Sequence, residues 1–107
     1  MSREIPVYSV KASKFSYEYF ETIKKSMITQ ILDASEYLLD SNIDTTIVCT
    51  IDILGEDGDS LMLFDCKVTY SDIVNELHKL MPWIIENEEY ELAHRVKLIE
   101  ERISTDK

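Results

Sequence analysis

Residues 45–70 read TTIVCTIDILGEDGDSLMLFDCKVTY. The first ten are rich in β-branched side chains and alternate, with Ile47, Cys49, Ile51 and Ile53 on one face and Val48, Thr50 and Asp52 on the other. The segment GEDGD breaks this pattern with the chain's two glycines, and residues 60–69 resume it with Met62, Phe64, Cys66 and Val68 on one face. Two alternating runs joined by a short Gly-containing loop predict an antiparallel β-hairpin of residues 45–54 and 60–69. Pairing Gly55 with Ser60 sets Cys49 directly opposite Cys66, while Asp52, Asp65 and Lys67 mark the outer face as wet. An isolated hairpin is marginal in water, so its apolar face needs a cover.

The flanking segments supply that cover. Residues 16–40 predict a long helix, capped by Ser13 or Ser16, with Glu18 and Glu21 placed to meet the N-terminal dipole. Its apolar stripe runs Phe20, Ile23, Met27, Ile31, Ala34 and Leu38, widened by Ile28, Leu32 and Leu39. Ser41 and Asn42 end it, since Asn tolerates the left-handed conformation of a helix stop. Residues 4–10, EIPVYSV, read as extended and offer a third strand, with Pro6 suited to a sheet edge.

Beyond the hairpin, Ser71 and Asp72 open a helix with the stripe Ile73, Val74, Leu77, Leu80, Met81, Ile84 and Ile85, in which Pro82 should kink or restart the helix. Asn87 is the expected cap of a last helix whose first turn holds Glu88 and Glu89. Tyr90, Ala93, Val96 and either Ile99 or Leu98 form its buried side. Leu77, Met81, Ile85, Tyr90, Ala93 and Val96 would then close an antiparallel helical hairpin. The expected fold is α+β: one domain over residues 1–107, a long N-terminal helix on a β-hairpin, then a C-terminal helical hairpin.

Charge is distributed unevenly. The net charge is −10, and between Lys25 and Lys67 there are nine carboxylates and no lysine or arginine. Such a surface attracts basic partners and repels nucleic acid and anionic lipid. The apolar content of 45 % is too high for a disordered acidic tail. The apolar runs are too short for a membrane span and the N-terminus lacks a signal-peptide core, so a cytoplasmic location is expected.

Motifs for chemistry are sparse. The loop Glu56–Asp57–Gly58–Asp59 fails the calcium-loop spacing, because Ile53 and Gly55 would occupy the first two ligand positions. His78 and His94 lie on different helices without ligands at a metal spacing, and two glycines cannot build a phosphate loop. Cys49 and Cys66 make neither a disulfide framework nor a zinc motif and read as buried free thiols. No cofactor is expected, and nothing points to an enzyme.

The C-terminal third carries Leu77, Met81, Ile84–Ile85, Glu89–Tyr90–Glu91, Ala93, Val96 and Lys97 in ungapped order. Over residues 77–104 this resembles the UVR motif, a helical hairpin of bacterial excision-repair proteins and of some chaperone and protein-kinase adaptors. The chain departs from that pattern in its Ile-Ile pair, in Pro82 and in Leu98. The resemblance implies protein–protein docking through the hairpin, including with a second copy, and no catalysis.

The expectation is therefore a small acidic regulatory protein that docks on a basic protein surface. A second reading is a DNA-mimicking or immunity-type inhibitor, because Asp33, Glu36, Asp40 and Asp44 recur at three to four residues along one side of a helix and its exit. These four acids, with Tyr37, Trp83 and Tyr90 as aromatic anchors, are the candidate contact residues.

Overall fold

The computed structural model describes residues 3–105. It contains β1 (Val7–Lys11), α1 (Tyr17–Ser41), β2 (Thr45–Leu54), β3 (Ser60–Thr69), α2 (Ile73–Glu86) and α3 (Tyr90–Thr105). Single 3₁₀ turns at Ala12–Lys14 and Tyr70–Asp72 lead into α1 and α2. The architecture is the expected α+β arrangement, with a three-stranded sheet in the order β1-β2-β3.

β2 and β3 pair antiparallel, and Cys49 lies opposite Cys66. Two bulges adjust the ends of this ladder: Val48 is extra on β2, and Leu61 is extra on β3 between the pairs Ile53–Met62 and Leu54–Ser60. The first corrects the alternation read from the sequence, because Val48 turns inward and is buried beside Cys49. The third strand does form. β1 pairs parallel to β2, Tyr8 beside Ile51 and Val10 beside Ile53, and the Pro6 carbonyl just before it accepts from the Thr50 N–H at 3.0 Å.

α1 begins at Ser16, whose hydroxyl accepts from the Tyr19 N–H. It lies across the inner face of the sheet and contributes to two apolar clusters. One end gathers Phe15, Tyr19 and Phe20 over Val10, Ile51, Ile53 and Phe64. The other packs Ile28, Leu32, Ala34 and Leu38 against Val48, Cys49 and Val68 of the sheet and against the buried faces of α2 and α3. Half-buried Cys66 touches both clusters.

The buried helix face is rotated from the stripe expected by alternation of apolar residues. Ile31 is only half-buried, whereas Ile28, Leu32, Ser35 and Leu38 are fully enclosed. Ser35 tolerates this because its hydroxyl donates to the Ile31 carbonyl at 2.8 Å.

Both α1 and α2 close with the same device. Asn42, at φ 55°, donates to the Leu39 carbonyl and Ile43 donates to that of Leu38. At the end of α2, Glu88 takes φ 55° and donates to Ile85, while Glu89 donates to Ile84. Each is a Schellman stop built on a left-handed residue.

The α2–α3 turn corrects the expected cap. Asn87 terminates α2, its side-chain amide donating to the Trp83 carbonyl at 2.8 Å, and α3 starts only at Tyr90. Pro82 does not restart α2, which runs through it to Glu86. The later start of α3 changes which side chains close the helical pair: Ile85 and Tyr90 are 61 % and 69 % exposed. Leu77 and Val96 are buried as expected, and Ile84, Leu92, Ile99 and Ile103 join them in place of Ile85 and Tyr90. Of the pair left open by the sequence, Ile99 faces in and Leu98 out.

Candidate functional site

The acidic side of α1 is where α3 docks. Arg95 donates to Asp33 at 2.7 Å and to Glu36 at 2.5 Å, and Arg102 pairs with Asp40 at 3.0 Å. Lys25 pairs with Glu89 at 3.1 Å. The order of these pairs shows that α3 runs parallel to α1, with α2 antiparallel between them in sequence. Burial pulls the Arg95 guanidinium down, its bonds to Glu36 and Asp33 push it up, and the net direction is up. Three of the four acids expected to meet a partner, Asp33, Glu36 and Asp40, thus pair within the chain. Asp44 is exposed at the turn into β2, where its carbonyl accepts from the Tyr70 N–H at 2.7 Å.

Of the aromatic candidates, only Tyr37 shares a helix with these acids. Tyr37 is half-buried, and Trp83 is half-buried and packed on the main core. Tyr90 is exposed and lines a shallow groove of about 550 Å³ between α2 and α3, with Met81, Ala93 and His94.

With Asp33, Glu36 and Asp40 paired, a run of uncompensated charge lies at the far end of the hairpin. Residues 52–65 hold Asp52, Glu56, Asp57, Asp59 and Asp65 and no basic side chain. Among the described residues, none of these five acids is in an ion pair. Asp52 and Asp65 stand on the outer sheet face, where they accept from Ser60 at 2.7 Å and from Thr50 at 2.8 Å. The loop is a defined turn. Gly58 donates to the Gly55 carbonyl with φ 92°, and Asp57 Oδ1 accepts from the Asp59 N–H at 3.1 Å. A side chain would be strained at that φ, which explains glycine there.

Apolar surface is interleaved with this charge. Leu61, Met62 and Leu63 are 65 %, 54 % and 62 % exposed, three neighbours in a row on β3. Neither this patch nor the Arg95 and Arg102 partners emerged from periodicity. The arginine pair did leave one trace, since 95 and 102 repeat the seven-residue spacing of Asp33 and Asp40.

Chemically, the hairpin end can attract and hold cations on a protein surface. Among the described residues no group of three His, Cys, Asp or Glu side chains is placed to hold a metal ion. No described helix is long and apolar enough to cross a membrane. The two thiols pair across the strands. Burial first, then the facing Cys66 thiol, pushes the Cys49 thiol up to about 12, so it stays protonated at neutral pH. Comparison with protein-family models, with curated proteins and with solved structures finds no match, so the site is read on its own geometry.

Proposed function

We propose that this is a small acidic, non-enzymatic binding or regulatory protein that docks on a basic surface of a protein partner. The observation that carries the reading is the segregation of charge. Asp33, Glu36 and Asp40 of α1 are matched by Arg95 and Arg102 within the fold, while among the described residues the five acids of residues 52–65 are in no ion pair. Unmatched surface charge of one sign steers a partner of the other sign and sets its orientation. The contact therefore moves from the helix to the hairpin end. The DNA-mimic reading needs a free row of carboxylates along α1, and Asp33, Glu36 and Asp40 are held by α3.

The test is affinity capture from an extract of the source cell, using the wild-type protein and two variants. Glu56→Gln/Asp57→Asn/Asp59→Asn should lose the captured basic protein, and Asp33→Asn/Glu36→Gln/Asp40→Asn should retain it. Capture that survives the first variant and fails with the second would place the contact back on α1.

A further inference from the structure

The two edges of the sheet are treated differently. β1 is short, follows Pro6, and stops before the bulge of β2; there Arg3 takes over, donating to the Ile47 carbonyl at 2.7 Å and the Val48 carbonyl at 2.9 Å while also binding the Gln30 side chain at 3.0 Å. A short strand, a proline and a side chain on the open carbonyls are devices that blunt an edge. β3 has ten residues, pairs among the described residues with β2 alone, contains no proline, and exposes Leu61, Met62 and Leu63 in succession. A long strand with an open row of N–H and C=O groups and apolar neighbours is a template for another strand.

Charge selects the occupant. Residues 52–65 place five carboxylates on and around this apolar stretch with no lysine or arginine among them. A second copy would bring a net charge of −10 against the same sign, which opposes edge-to-edge pairing. An extended segment in which apolar residues alternate with lysine or arginine satisfies both features. Its main chain completes the ladder, its apolar row continues the inner face beside Met62, and its basic row lies on the outer face, where the aliphatic stems cover Leu61 and Leu63 and the charges meet Asp52, Asp65 and the loop acids.

We propose that the open edge of β3 binds an extended basic-apolar segment of the partner as a fourth strand. This rests on the reading of the protein as a binder of basic partners and specifies how the partner is held.

The probe is a random peptide library displayed on phage and selected on the full-length protein, followed by amide NMR with the most enriched peptide. The expected result is enrichment of sequences alternating Lys or Arg with apolar residues. Bound peptide should shift and protect amides of residues 60–69. Leu61→Ser/Leu63→Ser, which alters only exposed side chains, should weaken binding roughly tenfold or more by removing apolar cover. Enriched peptides whose shifts map to the α2–α3 groove, or an absence of enrichment, would overturn the proposal. So would a stable dimer formed through β3 by the protein alone. If the serine variant binds normally while Glu56→Gln/Asp57→Asn/Asp59→Asn does not, the acidic contact stands and the strand-addition mode falls. If neither variant matters, both readings fall.

Discussion

Arg95 reaches Asp33 across 62 residues of chain, at 2.7 Å, and the same guanidinium also binds Glu36. α3 therefore lies parallel to α1, an orientation in which helix dipoles oppose, and the ion pairs along the seam counter that. An acidic helix face that reads as a partner surface is, in the folded chain, an internal joint.

Arg95→Met should destabilise the protein by about 1 kcal/mol in urea unfolding, because the pairs are partly exposed and screened by water. A double-mutant cycle with Asp33→Asn should show coupling that shrinks as salt rises. Additive effects would mean that the pair does not hold the seam.

At the α2–α3 turn, Glu88 occupies the left-handed position that favours glycine. Glu88→Gly should stabilise the fold by about 1 kcal/mol, since the strain of a Cβ at that φ is relieved. An unchanged or lowered melting temperature would contradict the assigned turn geometry.

The legible part of the fold is what periodicity and stop signals control: the hairpin, the Cys49–Cys66 register, the Ser16 cap and the Asn42 stop all follow from local chemistry. Three-dimensional coincidence was not legible. Nothing local says that Val48 bulges inward, that Ser35 is enclosed by bonding its own helix, or that Arg95 and Arg102 meet Asp33 and Asp40. The stripe expected from apolar spacing ran through Ile31, whereas the enclosed face runs through Ile28, Leu32, Ser35 and Leu38 and is rotated from it. Reading Asn87 as an N-cap instead of a helix end advanced α3 and placed Ile85 and Tyr90 inside.

That rotation has a direct consequence. Leu32→Ala should cost about 3 kcal/mol by opening a cavity in the main cluster, and Ile31→Ala about 1 kcal/mol, because Ile31 is only half-buried. Chemical denaturation of the two variants checks the order, and a reversal would restore the stripe centred on Ile31.

Cys49 supplies a pH dependence. Its folded value of about 12 exceeds the ordinary 9.0, so the folded state holds the proton more tightly than the unfolded chain. The contribution is complete below pH 9 and is lost as pH rises toward 12, at up to about 1.4 kcal/mol per pH unit for this one proton. Cys49→Val should flatten the decline measured by urea unfolding over that window. In the native protein Cys66, which is partly exposed, should alkylate well before Cys49.

The most direct measurement is the association rate with the captured basic partner at low and physiological salt, for wild type and the two acid-to-amide variants. The account predicts that Glu56→Gln/Asp57→Asn/Asp59→Asn slows association several-fold at low salt and flattens the salt dependence, since rim charges act mainly on the on-rate. It also predicts that Asp33→Asn/Glu36→Gln/Asp40→Asn lowers stability and leaves the rate near wild type. Equal rates for the hairpin variant and wild type would contradict it, and would move the contact to the exposed Tyr90 side of the helical hairpin.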